Sequence, residues 1–221
     1  MIPKRIFTVW LGEKDAPLPP LIERCIESQR IPGYEHRLIT LENCNEESRY
    51  TQECLAAWER TKDVRFLVKA SDFIRCYHVW EEGGIHLDAD MEVLPGKNFD
   101  DMLDDRMFTE NEVYGCVANA GFGAEKGHPF LKEYMRRVED NFRGGGDMIF
   151  DPGIRAFSDL MFITDKEAQG IRFYPAEVFF PYKHGEETVN ITPLTRVFHH
   201  YAGSWTPRSK INTDWHLRKF F

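Results

Sequence analysis

Two aspartates, Asp88 and Asp90, flank a single alanine at the end of the short apolar run Ile85-His86-Leu87. Carboxylates held this close repel one another, and a cation between them is the natural remedy. Hard divalent ions such as Mg²⁺ or Mn²⁺ take oxygen ligands and commonly bridge protein carboxylates to the phosphates of a substrate. An isolated Asp-x-Asp is more often a polar turn than a metal site, but here a helix, a glycine pair and an apolar strand precede it, and that setting favours the metal. Further upstream, Asp72 and Arg75 are spaced i and i+3, so they share a helix face, where an ordinary surface ion pair is an equal alternative to a functional one. His199 and His200 lie in a late strand. Neighbouring strand residues point to opposite faces, so at most one of them aims at a given site, and a lone strand histidine is more commonly a satisfied polar residue than a ligand. Trp10 closes the first strand, at the aspartates' edge of a parallel sheet, where a core role and a role in stacking on a base are equally open.

These groups need a scaffold that brings strand ends together. Residues 69–82 read as a helix with Val68, Tyr77 and Trp80 near one face, stopped by Gly83-Gly84. Ile6 to Trp10 reads as a central parallel strand, and a helix opened by Pro19-Pro20 runs to about Gln29 with Leu21, Ile22, Cys25 and Ile26 on one stripe. Tyr34 to Leu41 is a second strand, and Asn45 to Arg60 a polar helix. This alternation predicts a Rossmann-like α/β sheet, although no Gly-x-Gly-x-x-Gly follows the first strand, which disfavours dinucleotide binding. In such sheets ligands bind at the carboxyl ends of the strands. Met91 to Val93 continues as a strand that would turn Glu92 to the same side as Asp88 and Asp90. Beyond it the pattern predicts a loop or short helix over 99–105, strands at 107–109 and 112–117, and a flexible segment over 119–123. Helices at 129–142 and from Asp151-Pro152-Gly153 to about Ile163 follow. The glycines 144–146 read as a loop, and short strands are expected at 171–174, 178–180 and from Arg196 onward.

Composition narrows the class. At 221 residues, without internal repeats or a low-complexity linker, the chain is expected to be one α/β domain spanning 1–221. A net charge of −8 excludes the basic surface of a nucleic-acid binder and makes a polyanionic ligand depend on a local site or a metal. No apolar run approaches membrane-spanning length and no signal-peptide pattern opens the chain. Five cysteines without metal-ligand spacing suit reduced thiols in a cytoplasmic protein. The basic, aromatic tail Trp215 to Phe221 can dock on the protein body or touch a membrane surface peripherally.

Four ordered blocks, Ile2-Pro3-Lys4…Val9-Trp10-Leu11-Gly12, Ala70-Ser71-Asp72-Phe73-Ile74-Arg75, Gly83 to Asp90, and His199-His200…Gly203-Ser204-Trp205, resemble glycosyltransferase family 32. The resemblance implies a single GT-A domain with a central, mostly parallel sheet flanked by helices. It implies a retaining hexosyltransferase that uses a nucleotide-diphosphate sugar, UDP-linked first and GDP-mannose next, with Mn²⁺ or Mg²⁺. The acceptor would be a glycan or lipid-linked saccharide in surface polysaccharide synthesis. By the same resemblance Asp90 ligates the metal, Asp88 contacts ribose or metal, Asp72 and Arg75 orient the donor sugar, and Trp10 stacks on the base. His199 or His200, with Ser204 and Trp205, closes over diphosphate and metal. The alternatives are a non-catalytic nucleotide-sugar-binding module and a haloacid-type phosphatase with Asp88 as nucleophile.

Overall fold

The computed structural model of the chain describes residues 1–12, 16–46, 48–111, 115–143, 153–182 and 188–203. Its centre is a six-stranded sheet built from β1 (Arg5–Val9), β2 (Glu35–Ile39), β3 (Gly84–Leu87), β5 (Met107–Glu110), β6 (Gly121–Ala124) and β7 (Ile171–Tyr174), in the order β2-β1-β3-β6-β5-β7. β1 pairs in parallel with both β2 and β3, and β5 in parallel with β7, while β6 runs antiparallel between β3 and β5. One reversed strand thus leaves the carboxyl ends of the other five on one edge. A separate two-stranded ladder joins β4 (Met91–Val93) antiparallel to β8 (Val197–His199).

Alternation along the strands divides the core between the two sheet faces. Phe7, Phe122 and Ala124 pack with α2 (Arg49–Thr61), α3 (Arg65–Glu82), α4 (Pro129–Arg143) and α5 (Ile154–Ile163), whereas Ile6, Ile85, Leu87, Phe99, Phe108 and Phe179 form the opposite layer. α1 (Pro20–Ser28) buries Ile22, Cys25 and Ile26, and a four-residue helix α6 (Lys166–Gln169) precedes β7. No helix among the described residues is long and apolar enough to cross a membrane.

Local chemistry explains where boundaries differ from the sequence pattern. α2 starts at Arg49 rather than Asn45 because Ser48 caps it, its hydroxyl accepting the Thr51 N–H at 3.1 Å. α3 begins as early as Arg65. Its buried apolar positions are Leu67, Ala70, Phe73, Ile74, Cys76 and Val79, and the Val68, Tyr77 and Trp80 stripe is only half-buried. Gly83, at φ 72°, ends the helix as expected.

Two expectations are overturned. The segment 119–123 is not a flexible loop: Gly121–Ala124 is a fully buried central strand. Its glycines are small for packing, since a Cβ at Gly121 would lie 2.9 Å from the Phe179 ring and one at Gly123 would collide with Phe108. The strand expected at 178–180 is instead a 3₁₀ turn, Ala176–Val178, continued by a Phe180 N–H bond of 2.7 Å to the Ala176 carbonyl. Residues 115–117 contribute only an isolated bridge at Cys116 to the strand expected over 112–117. Positions 112–114, the glycines 144–146, Ser204, Trp205 and the tail from Trp215 lie outside the described residues.

Candidate active site and metal centre

Period two along β3 turns His86 and Asp88 toward α3. Arg75 reaches across from that helix, its Nη1 2.8 Å from Asp88 Oδ1, and Nη2 lies 3.3 Å from Asp72 Oδ1, the i,i+3 partner anticipated from spacing. The guanidinium is further held by the carbonyls of Asn119, at 3.1 Å, and Ser71, at 3.2 Å. Both members of the helix pair are buried, with side chains 9% and 12% exposed. This is a buried ionic link between α3 and the end of β3, and the surface-pair alternative is excluded.

Asp72 is further fixed by the Asn119 amide, which donates to Oδ1 at 2.9 Å. Gly153, immediately before α5, covers its other oxygen: a Cβ there would sit 2.6 Å from Oδ2. Burial pushes the Asp72 carboxyl above the usual aspartate range despite Arg75 and Asn119. For Arg75 burial works against the charge, but Asp88 and Asp72 outweigh it and hold the guanidinium charged. His86, fully buried, bridges the Phe7 main-chain oxygen (3.1 Å from Nδ1) and Asp88 Oδ1 (3.0 Å from Nε2).

After Leu87 the chain leaves the main sheet. The Asp88 N–H bonds the Ala120 carbonyl at 2.8 Å, and a turn closes with the Met91 N–H 3.0 Å from the Asp88 carbonyl. Gln29, wholly buried at the end of α1, spans this turn: its amide donates to the carbonyls of Asp88 (2.9 Å) and Met91 (2.8 Å), while its oxygen accepts from Thr8. The turn breaks the strand alternation, so Glu92 does not share a side with Asp88 and Asp90. Its carboxylate pairs with His200 at 2.8 Å and Arg24 at 3.0 Å. The expectation that placed Glu92 beside the two aspartates assumed an unbroken strand and is corrected accordingly.

The two histidines divide as strand geometry requires. β4–β8 pairing sets His199 opposite Met91, and its Nε2 lies 3.1 Å from Asp90 Oδ1. The Ala202 N–H donates to Asp90 Oδ2 at 2.8 Å. The structure therefore gathers Asp88, Asp90 and His199, with one donor atom from each within 4.8 Å of the others, and sets His200 apart with Glu92. Of the two histidines left open by the sequence, His199 is the one beside the aspartates, and His200 does not join that cluster. Burial opposes charge on both Asp90 and His199, but each overcomes it in the other: Asp90 is lowered to about 2 and His199 is raised.

Two oxygens and an imidazole nitrogen are a donor set suited to Mn²⁺, and Mg²⁺ is served by the carboxylates alone. His199 Nδ1 is buried without a hydrogen-bond partner, and the side chains of Asp88 and Asp90 are 25% and 16% exposed, so the cluster faces solvent on one side. The residues fit a divalent cation. Trp10, half-buried beyond the end of β1, packs on a small cluster with Ala89, between the aspartates, and Ala202. A Cβ on Gly12 would lie 2.6 Å from its indole nitrogen, so the bare glycine leaves the ring its place. Gln29, Asn119, Gly153 and the Ala202 amide were invisible as site residues in the sequence. None belongs to a spaced motif, and each acts through a contact that only the fold creates.

Residues 20–109 match a family model described as the glycosyltransferase sugar-binding region containing the DXD motif. That span runs from α1 into β5 and holds Asp72, Arg75, Asp88 and Asp90. No curated protein matches the chain. Among solved structures it is similar to the PaToxG glycosyltransferase, at 18% identity over 73% of this chain and 69% of that one, with a TM-score of 0.55. It is also similar to the ligand-free glycosyltransferase domain from the YGT toxin, at 9% identity over 78% and 80% of the two chains, with a TM-score of 0.52. At these identities the likeness speaks for the fold: a mixed α/β GT-A architecture, with the two aspartates inside the stretch that matches a DXD glycosyltransferase region.

Proposed function

We propose that the chain is a single-domain, metal-dependent retaining glycosyltransferase that moves a hexose from a nucleotide-diphosphate sugar to a glycan or lipid-linked saccharide. The observation that carries the proposal is the Asp88–Asp90–His199 cluster at the strand carboxyl ends, joined through Asp88 to the buried Arg75–Asp72 pair. Transfer builds positive charge on the anomeric carbon and negative charge on the departing diphosphate. A divalent cation held by Asp88, Asp90 and His199 would supply Lewis-acid neutralisation of that leaving group. Asp88 is oriented by Arg75 and His86, and Asp90 by Ala202 and His199. In this conformation Asp72 is covered by Asn119 and Gly153, so it positions Arg75, and its contact with sugar hydroxyls belongs to a donor-bound arrangement.

Trp10 is assigned the nucleotide base, and Ser204 and Trp205 the diphosphate. A UDP-sugar is the favoured donor, with GDP-mannose next. Retention of configuration and a place in surface polysaccharide synthesis rest on the resemblance of the four sequence blocks. The proposed setting is cytoplasmic, with peripheral contact at the inner membrane face through the tail.

The test is a thermal-shift panel of UDP, GDP and their sugars with Mn²⁺, Mg²⁺ or chelator, because a ligand that binds only the folded state raises the melting temperature. One nucleotide should stabilise, and chelator or Asp90→Asn should abolish both the shift and donor turnover. Stabilisation that survives chelator and Asp90→Asn overturns the metal assignment. A shift without donor hydrolysis or transfer favours the non-catalytic nucleotide-sugar-binding module, and release of phosphate from aryl phosphates favours the phosphatase.

A further inference from the structure

The ladder that brings His199 to Asp90 carries a second donor set on its other side. Cys25 from α1, Glu92 from β4 and His200 after β8 place a thiol, a carboxylate oxygen and an imidazole nitrogen within 4.8 Å of one another. Cys25 is 0% exposed and His200 3%, while Glu92 has a fifth of its side chain exposed. The thiol is unsuited to attack a substrate, since no solvent reaches it. The set is unlike the oxygen-rich cluster a few residues away: sulfur and imidazole select borderline-soft ions, whereas carboxylates and water serve Mg²⁺ and Mn²⁺.

We propose that Cys25, Glu92 and His200 form a Zn²⁺ site distinct from the Asp88–Asp90–His199 centre, with a water or hydroxide in the fourth position. Binding forms bonds from the metal to sulfur, oxygen and nitrogen, and releases the thiol proton to solvent. A thiolate and a carboxylate balance the dication, so the buried assembly is neutral apart from its solvent ligand and avoids the cost of an unpaired charge. Arg24, now on Glu92 Oε2 at 3.0 Å, also lines an open hollow of about 630 Å³ along α1 with Pro20, Glu23, Glu27 and Ser28. Its own side chain is 42% exposed, so it turns to solvent as the ion enters from that side. The His200 Nε2 contact with Glu92 at 2.8 Å is the hydrogen bond that the ion replaces. Once filled, the site pins α1 to both strands of the ladder. The His200 N–H already bonds the Asp90 carbonyl at 3.0 Å, so the pin bears directly on the aspartate turn.

Cobalt makes the test specific, because only a thiolate ligand gives an intense sulfur-to-cobalt charge-transfer absorption. Titration of the metal-free full chain with Co²⁺ should produce that band, with the saturating intensity of one thiolate site per chain, and Zn²⁺ should bleach it. Asp90→Asn should keep it and Cys25→Ser should lose it, with circular dichroism confirming the fold of each. A titration without the band, or a band that survives Cys25→Ser, overturns the proposal. Should Cys25→Ser fail to fold, zinc-edge X-ray absorption on the native chain decides: sulfur in the first shell, together with zinc affinity weakened on the order of tenfold or more in Glu92→Gln, supports the site. A shell without sulfur, or unchanged affinity in Glu92→Gln, overturns it. The band is read without nucleotide, and Asp90→Asn is expected to keep it while losing the nucleotide-dependent shift, so this site and the transferase reading stand or fall separately.

Discussion

Replacing Arg75 with methionine keeps most of the side chain's volume and deletes its charge. The guanidinium has no substitute: Asp72 and Asp88 lie 3.3 and 2.8 Å from it, and Asp72 is otherwise met by one amide donor. Removing one partner of a buried ionic link leaves the other uncompensated, at a cost of about 3–5 kcal/mol. With a urea slope of about 3 kcal/mol per molar, the unfolding midpoint falls by about 1–2 M. Asp72→Asn should cost far less, about 1 kcal/mol, because burial already disfavours the Asp72 charge and an asparagine oxygen still accepts from Asn119. The double variant should therefore be more stable than Arg75→Met alone, giving a favourable coupling of about 1–3 kcal/mol in the cycle. The pH dependence has a definite sign. A carboxyl whose folded pKa is raised contributes stability that is fully present below its unfolded value and lost as pH rises through the folded one, and deleting Arg75 raises Asp72 further. Arg75→Met should thus recover stability relative to wild type as pH falls from about 7 toward 4. Urea unfolding followed by circular dichroism reads all three variants. Additive losses, or a deficit that does not shrink in acid, would refute the claim that Arg75 exists to neutralise these two carboxylates.

Trp10→Ala should weaken binding of the free nucleotide by about 1–3 kcal/mol, the usual worth of an aromatic–base stack; calorimetry showing undiminished affinity would leave Trp10 a packing residue only. Glu110, wholly buried at the end of β5, accepts the Ala118 N–H at 2.7 Å and has its pKa pushed up to about 8 by burial. Its protonated form stabilises the fold, fully below the ordinary value of 4.5 and progressively less as pH rises to about 8. Glu110→Gln should flatten the pH dependence of Tm across that window, and an unaltered slope would show that burial has not moved this group.

The sequence was most legible where a local signal and a global requirement coincide. Proline opens α1 and α4, glycine closes α3, and Ile85-His86-Leu87 is too short and apolar for anything but a buried strand. The i,i+3 pairing of Asp72 with Arg75 and the opposed faces of His199 and His200 follow from backbone periodicity alone. Periodicity fails where the backbone turns, and the break at Asp88-Ala89-Asp90 is why Glu92 joined the wrong cluster. Glycine misled for a different reason. At Gly121 and Gly123 it marks crowding from aromatic rings of other elements, which has no local trace, and reads identically to glycine chosen for mobility. Long-range contacts such as Asn119 to Asp72 or Gly153 to Asp72 join positions 47 and 81 residues apart, and no window of sequence contains both ends.

Gln29 offers a last point. Its amide holds the two carbonyls that bracket the aspartate turn, and its oxygen takes the Thr8 hydroxyl, so every strong bonding group of the carboxamide is engaged away from solvent. Glutamate in its place would set acceptors against acceptors, and asparagine would fall a methylene short. The turn is thereby held in one shape by bonds that need no cation. On the proposed metal reading, an ion entering it would spend little of its binding free energy on ordering the chain, and a helix-terminal residue that never touches the ion would help to set its affinity.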